Sequence, residues 1–193
     1  MMIDLDNYLK EIDLECNYED DKVMIKAYQL DDKGRGSSTV FGIKHKLKVD
    51  KIKSCDYFLE NDEKIFIVEI SNFFKQLEYL RETYNKIKKY ENLDRKDLKL
   101  VKSCISPESV IKSEIKNKYL NTLLILSYFD LIKNKNKKVY LVLAFCVNNS
   151  DVVRVLDNLK RELKSDLQNL AYDIRLILAK DIRSLIKGER GVV

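Results

Sequence analysis

The spacing of apolar residues along the chain predicts a mixture of helices and strands. Spacings of three and four residues, which place side chains on one helical face, predict helices at Asp4–Glu15, Asn72–Glu91, Pro107–Ile132 and Asp151–Leu170. Alternating or continuous apolar runs predict strands at Lys22–Leu30, Cys55–Glu60, Lys64–Ser71, Lys138–Val147 and Asp173–Lys180. Val40–Val49 alternates apolar residues with lysine, which predicts an extended, half-exposed edge.

Two elements also indicate their position in the fold. Ser106 and Pro107 suit the cap and the first turn of a helix. The apolar residues of that helix cover more than one face, which predicts burial between layers. Lys138–Val147 is a continuous apolar run, which predicts a central strand covered on both sides.

The order of the elements predicts the α/β class. Strands in succession form an antiparallel meander, and the later strands are linked by helices, so we expect a mixed central β-sheet flanked by helices. The short turn at residues 61–63 makes Cys55–Glu60 and Lys64–Ser71 antiparallel neighbours. A length of 193 residues suits a single domain over residues 1–193.

Composition favours a globular chain with a charged surface, since 45% of residues are hydrophobic and 35% are charged. No apolar run approaches the roughly 18 residues needed to cross a bilayer. The acidic, amphipathic amino terminus does not resemble a secretory signal. The four cysteines lie far apart and form no CxxC pair. We therefore expect a cytoplasmic protein with reduced thiols and no membrane partner.

Basic residues are concentrated in two segments, Lys44–Lys53 and Lys133–Lys138. The net charge of +5, from 36 basic and 31 acidic residues, permits a nucleic-acid partner without requiring one. The two segments predict a basic rim on one side of the domain that contacts phosphate groups, with a solvated surface as the alternative. The lysines assigned to nucleic-acid binding are Lys44, Lys46, Lys48, Lys51, Lys53, Lys135 and Lys137.

Several common enzyme motifs are absent from the chain. There is no GxxxxGK[ST], GxGxxG or GxSxG sequence, which leaves phosphate-cradling loops and the serine-hydrolase elbow without support. The single histidine, His45, lies among lysines and has no positioned partner, so the sequence does not favour a nucleophile–histidine pair.

Two acidic residues interrupt the apolar character of the predicted hairpin. Asp56 lies near the start of one strand, and Glu69 follows four apolar residues near the end of the other. An ionised carboxylate in such surroundings needs a partner. Asp56, Glu69 and the Ile70 carbonyl offer oxygen ligands that suit Mg²⁺ or Mn²⁺. A water bound to that metal ion can attack a phosphodiester.

The sequence CDYFLE, a short turn and IFIVEIS resembles the core of the PD-(D/E)XK nuclease superfamily, which includes restriction enzymes and helicase-associated DNA nucleases. In that family an Asp on the second core strand and a Glu or Asp on the third bind the metal ion. By this resemblance the two acids are Asp56 and Glu69, and the element order agrees over about residues 1–147. The resemblance implies a restriction-endonuclease-like fold and a metal-dependent DNA nuclease of restriction, phage defence or repair.

The sequence departs from the family pattern at Ser71, where the family has a Lys that assists the nucleophile. Two replacements are open. Lys75 begins the next helix and is long enough to reach back, whereas Lys112 or Lys116 would act from the following long helix. We assign Lys75 to the catalytic set with the two acids.

Three other interpretations remain open at the sequence level. In the first, Asp56 is a cap or pairs with a nearby lysine, and Glu69 ends its strand at the surface in an ion pair with Lys75. In the second, the same fold has an inactive site and binds nucleic acid or a protein partner. In the third, the long helices assemble the chain into a homo-oligomer through apolar stripes such as Phe73 to Tyr84.

Overall fold

A computed structural model describes residues 4–13, 22–32, 41–89, 94, 96–97, 99–100, 106–132, 136–146 and 150–187. The strands are β1 (Leu9–Asp13), β2 (Lys22–Gln29), β3 (Tyr57–Glu60), β4 (Lys64–Ser71), β5 (Lys138–Phe145) and β6 (Asp173–Leu178). The α-helices are α1 (Ile43–Leu47), α2 (Phe73–Lys88), α3 (Pro107–Tyr128), α4 (Ser150–Asp166) and α5 (Ile182–Lys187). Single 3-10 turns precede β1 at Leu5–Tyr8 and follow β6 at Ala179–Asp181.

The strands form one mixed sheet in the order β1-β2-β3-β4-β5-β6. The first three neighbouring pairs are antiparallel, whereas β4, β5 and β6 are parallel. The predicted α/β class, with a mixed sheet flanked by helices, is therefore confirmed. So is the β3–β4 hairpin, whose register places Tyr57 opposite Val68. Asn61 closes its turn by accepting the Lys64 N–H at 2.9 Å.

Side chains of the central strands alternate between two apolar layers. On β4, Ile67 faces the layer that contains α2, α3 and α4, and Val68 faces the layer that contains Ile182 of α5. Residues 141–145 of β5 are buried, which confirms the predicted central strand. Glu69 follows Ile67 by two residues and therefore points into the layer of the long helices.

The amino-terminal segment is not the helix predicted over Asp4–Glu15. A single 3-10 turn at Leu5–Tyr8 leads directly into β1. Ile12 is fully buried in the sheet, where it pairs with Val23 of β2. A short helix is marginal without tertiary contacts, so pairing along β2 decides the conformation. Residues 14 and 15 lie outside the described residues.

The segment Val40–Val49, described from residue 41, contains helix α1 and not the predicted extended edge. Ile43 and Leu47 lie one helical turn apart and are both buried in the apolar layer, so the spacing of four outweighs the alternation. Gly42 precedes the helix, where a Cβ would lie 2.4 Å from the Leu30 carbonyl oxygen. Only glycine permits this close approach, which joins α1 to the end of β2.

The long helices begin where the sequence predicts. The side chains of Asn72 and Ser106 cap α2 and α3, each by accepting the backbone N–H of the third residue after it. Pro107 occupies the first turn of α3, where its missing N–H has no cost. The predicted extension of α2 to Glu91 lies outside the described residues beyond residue 89.

Helix α3 has one buried face and one exposed face, so the prediction of burial between layers is wrong. Ile115, Tyr119 and Leu126 are buried against the sheet. Leu124 is 60% exposed and Tyr128 is 78% exposed. The apolar residues that broaden the sequence pattern therefore lie at the surface.

Two further observations concern the helices and the cysteines. No helix within the described residues is long and apolar enough to cross a membrane. Cys55 is a free, buried thiol, whereas Cys146 after β5 is disulfide-bonded. The expectation of reduced thiols is therefore wrong for Cys146.

Candidate active site

Asp56 lies immediately before β3 and is held against β4 by its backbone and by its side chain. Its N–H donates to the Val68 carbonyl at 3.1 Å, and its carboxylate Oδ2 accepts the Ile70 N–H at 2.8 Å. These two bonds flank Glu69, so Asp56 lies opposite that residue. The Asp56 carbonyl accepts the Leu30 N–H at 2.9 Å, which connects the site to the end of β2.

Glu69 is the second buried acid of the site. It is 4% exposed, and Asp56 is 7% exposed. Because Glu69 shares the β4 face of Ile67, its carboxylate is directed toward α3. There the Lys118 Nζ contacts Glu69 Oε1 at 2.5 Å. An ionised carboxylate at this depth requires such a partner.

Lys118 brings a positive charge to the two acids. Burial alone would lower the pKa of Lys118, but the charge and the hydrogen bond of Glu69, followed by the charges of Asp56 and Glu114, raise that pKa above its usual value. Lys118 is therefore protonated at neutral pH. The effect of Asp56 on this pKa places both carboxylates within electrostatic range of one ammonium group.

Alternating charges lead from Glu69 to the protein surface. Glu114 lies one turn before Lys118 on α3, and its Oε1 is 3.9 Å from the Lys118 Nζ. The Lys53 Nζ is 3.8 Å from the same oxygen. The Glu114 side chain is 35% exposed and the Lys53 side chain is 73% exposed, so this end of the series is open to solvent.

Two polar side chains of α3 hold the segment that precedes Asp56. The Thr122 hydroxyl accepts the Cys55 N–H at 2.9 Å. The Asn121 side-chain amide donates to the Lys53 carbonyl at 2.9 Å. Helix α3 therefore positions the first acid through backbone contacts and the second through Lys118.

The Cys55 thiol beside the site is not a candidate nucleophile. It is fully buried, and burial, followed by the charges of Glu69 and Asp56, raises its pKa well above the ordinary value. Because the thiolate is the reactive form of cysteine, this thiol stays neutral and unreactive.

The structure brings the two predicted acids together and supplies an unpredicted lysine. The ammonium in contact with Glu69 belongs to Lys118, whereas Lys75 is exposed on the first turn of α2. Lys112 and Lys116, the other candidates, form ion pairs with acidic residues of α4 at 2.8 and 3.0 Å. The interpretation in which Glu69 forms a surface pair with Lys75 is therefore wrong, because Glu69 forms a buried pair with Lys118 of α3.

A sequence signal for the missing residues exists. Glu114, Lys118 and Thr122 follow one another at intervals of four, which places them on one face of α3. A polar stripe on a helix that is otherwise rich in apolar residues requires polar partners in the sheet. Glu69 is the buried acid that this stripe meets.

The chemistry of the site suits a hard divalent cation. Among the described residues, its charged groups include the carboxylates of Asp56, Glu69 and Glu114 and the ammonium groups of Lys53 and Lys118. The Lys118 ammonium in contact with Glu69 shows that this carboxylate accommodates a cation. The Ile70 carbonyl leaves the strand on the same side as its N–H, which is the side toward β3. These oxygen ligands fit Mg²⁺ or Mn²⁺.

Within the described residues, the two lysine-rich segments lie at opposite ends of β4 and do not form one rim. Lys53 contacts α3 beside Glu69, near the carboxyl end of the strand. Lys138 pairs in register with Lys64 at the amino end. An eight-residue strand such as β4 spans roughly 23 Å. The lysines near the site are therefore separate from those at the far end.

Some of the lysines assigned to nucleic-acid binding are committed to buried ion pairs. The Lys44 side chain is 2% exposed and contacts Asp31 at 3.0 Å. The Lys137 side chain is 10% exposed and contacts Glu60 at 3.0 Å. Lys135 lies outside the described residues. The assigned lysines that are exposed are Lys46, Lys48, Lys51 and Lys53.

A second group of metal-ligating atoms lies beside α1. One ligand atom from each of Asp32, His45 and Asp50 lies within 4.8 Å of the others. The group is partly exposed, and the His45 ring stacks on Phe41 with 4.1 Å between centroids. Exposed acidic groups of this kind are common on protein surfaces without a metal ion, so we assign no site to them.

No protein-family model, curated protein or solved structure matches the chain. The case for a function depends on what Asp56, Glu69 and Lys118 can do together.

Proposed function

We propose that the chain is a metal-dependent nuclease of the PD-(D/E)XK type that hydrolyses phosphodiester bonds in DNA with Mg²⁺ or Mn²⁺. One observation carries the proposal: Asp56 accepts the N–H of Ile70, the residue after Glu69, and the buried Glu69 carboxylate contacts Lys118. Restriction, phage defence or repair is the setting that the resemblance implies.

The arrangement of strands supports the proposal. β2, β3 and β4 form an antiparallel meander, with Asp56 immediately before its second strand and Glu69 near the end of its third. The acids that bind the metal ion in this family occupy the second and third core strands. Helices follow the meander, and β5 then joins parallel to β4. A restriction-endonuclease-like fold is part of the proposal.

The residues of the site have distinct roles in this proposal. Asp56 and Glu69 would hold the metal ion, with the Ile70 carbonyl as a further ligand. When bound, the metal ion supplies an activated water for attack on phosphorus. The Lys118 ammonium offsets negative charge that develops on the phosphate oxygens. Lys118 would thus provide from α3 the charge that Ser71 cannot provide.

A second candidate is a nuclease-like module with an inactive site that binds nucleic acid or a protein partner. Two observations favour it: Ser71 replaces the family Lys, and the Lys118 ammonium neutralises Glu69. The exposed Leu124 and Tyr128 on α3 offer such a module, or a homo-oligomer, an apolar contact surface.

A nuclease assay tests the proposal. The purified chain is incubated with plasmid and single-stranded DNA in Mg²⁺, Mn²⁺ or EDTA. We expect cleavage that requires the metal ion and that falls about a hundredfold or more in Asp56→Ala and in Glu69→Ala, since each removes a group that stabilises the reacting centre. The same assay on Lys75→Ala tests the sequence-based assignment of that lysine.

The matched control is Asp62→Ala in the exposed turn between β3 and β4, which removes an acid away from the site. It should retain wild-type cleavage. Cleavage that survives Glu69→Ala would mean a contaminant or a different site. No cleavage by the wild type with either metal ion would favour the inactive module.

A further inference from the structure

We propose that Lys118 is a built-in cation that holds Glu69 while no divalent metal ion is bound, and that it transfers to Glu114 when the metal ion binds. This inference rests on the proposed function, because it takes Asp56 and Glu69 as the metal-binding acids. It adds a regulatory step to the same site, namely competition between a side chain and the metal ion.

The Lys118 ammonium lies within reach of two carboxylates, those of Glu69 and Glu114. Its Nζ is 2.5 Å from Glu69 Oε1 and 3.9 Å from Glu114 Oε1. Glu114 lies one turn earlier on the same helix face, so rotation of the flexible lysine side chain exchanges one carboxylate for the other without movement of α3. The ammonium therefore keeps a counter-ion throughout the exchange.

Burial explains why the closed arrangement is preferred before the metal ion arrives. The Glu69 side chain is 5% exposed, whereas that of Glu114 is 35% exposed. A buried carboxylate without a nearby cation is costly, but a half-exposed one is stabilised by water. Lys118 therefore resides on Glu69 and not on Glu114. A divalent cation at Glu69 removes this preference and moves the ammonium onto Glu114. From there, one helical turn away on the same face of α3, the flexible lysine side chain still reaches a phosphate at the metal site.

Lys53 is a counter-ion of Glu114 that Lys118 can displace. Its Nζ is 3.8 Å from the same Glu114 oxygen, so Glu114 already has a cation when Lys118 is on Glu69. Because Lys53 is largely exposed, it can leave that oxygen for solvent when Lys118 arrives. The exchange thus moves one charge from the interior toward the surface and leaves every buried carboxylate paired.

The test compares Mn²⁺ affinity among single variants by isothermal titration calorimetry, in the absence of DNA. If Lys118 closes the site in about nine tenths of the molecules, the apparent affinity of the wild type is about tenfold below that of the open site. Lys118→Met should then bind Mn²⁺ about tenfold more tightly than the wild type. Without the metal ion, the melting temperature of this variant should lie below that of the wild type. Addition of Mn²⁺ should raise the melting temperature of the variant by more than it raises that of the wild type.

A second variant acts in the opposite direction. Glu114→Gln keeps the size of the side chain but removes the acceptor charge, so Lys118 has no other acid to join and Mn²⁺ affinity should decrease severalfold. Because Glu114 is half-exposed, this variant keeps the fold and decides the question if Lys118→Met does not fold. Lys118→Arg retains the charge and should bind Mn²⁺ as weakly as the wild type or more weakly.

The matched control is Lys112→Met on the same helix, whose ion pair with Glu162 lies away from the two acids. It should leave Mn²⁺ affinity unchanged. Equal, Glu69-dependent Mn²⁺ binding in the wild type, Lys118→Met and Glu114→Gln would overturn this inference and leave the proposed metal site intact. Absence of Mn²⁺ binding from both the wild type and Lys118→Met would overturn the inference together with the metal site.

Discussion

At the residue scale, one hydroxyl group connects α3 to the segment that precedes the first acid. Thr122 is fully buried, accepts the Cys55 N–H and donates to the Lys118 carbonyl. Thr122→Val keeps the shape but leaves the buried Cys55 N–H unpaired, which should lower the free energy of unfolding by about 1–3 kcal/mol. Urea unfolding followed by circular dichroism measures this change.

The control for this prediction is Ser113→Ala, which removes an exposed hydroxyl from the same helix. Its effect should stay within about 0.5 kcal/mol. If the two variants have equal stability, an ordered water replaces the Thr122 hydroxyl and the contact is not a structural requirement.

The sequence predicts the acids of the site better than it predicts their cation. Asp56 and Glu69 are conspicuous because charged residues interrupt two apolar strands, and burial makes such residues costly. Lys118 is one lysine among many, and only tertiary packing brings it to Glu69, 49 residues away along the chain. Its spacing from Glu114 and Thr122 is visible in the sequence, but the strand that this stripe meets is not.

At the element scale, α3 provides a matched pair of leucines. Leu126 is fully buried in the layer against the sheet, and Leu124 is 60% exposed. Leu126→Ala should destabilise the protein by about 2–5 kcal/mol because it leaves a cavity, whereas Leu124→Ala should change stability by less than about 0.5 kcal/mol. Urea unfolding of both variants checks the assignment of faces.

A large loss of stability in Leu124→Ala would show that the outer face of α3 is covered in solution. In that case the loss should depend on protein concentration, because a contact between copies is governed by mass action. Analytical ultracentrifugation of the two variants separates this result from a misassigned helix face.

The elements with a clear buried face were predicted correctly from the sequence. Elements whose conformation depends on pairing with a neighbouring strand, or which are very short, were not. β3, β4 and β5 are apolar runs bounded by turn residues, and they occur within the predicted bounds. The segment of β1 also has a helical stripe, and only the position of β2 selects the strand. α1 is five residues long, too short for its periodicity to be distinguished from alternation.

At the scale of the whole molecule, lysines lie at two opposite ends of the sheet, one beside the candidate site and one away from it. Residues 48–53 precede the segment that carries Asp56, and Lys53, the last of their exposed lysines, contacts Glu114 beside the acids. Lys138 and Lys164 lie near the amino ends of β5 and β6, where Lys164 pairs with Asp173. Under the proposed function, DNA bound at Asp56 and Glu69 would therefore lie nearer to the first group of lysines than to the second.

This arrangement predicts which lysines control DNA affinity. In buffer without divalent metal ions, reversal of two charges in Lys48→Glu/Lys51→Glu should weaken binding to any duplex sequence, because the contacts are to phosphates. Each phosphate contact contributes about −0.9 to the slope of log affinity against log salt, so the magnitude of the slope should fall by about 2. Fluorescence anisotropy with labelled duplexes at several salt concentrations measures both quantities.

The double reversal Lys138→Glu/Lys164→Glu changes the net charge equally and should have a much smaller effect. Equal losses in the two double variants would mean that DNA responds only to net charge, and no loss in the first would place any bound DNA away from the candidate site.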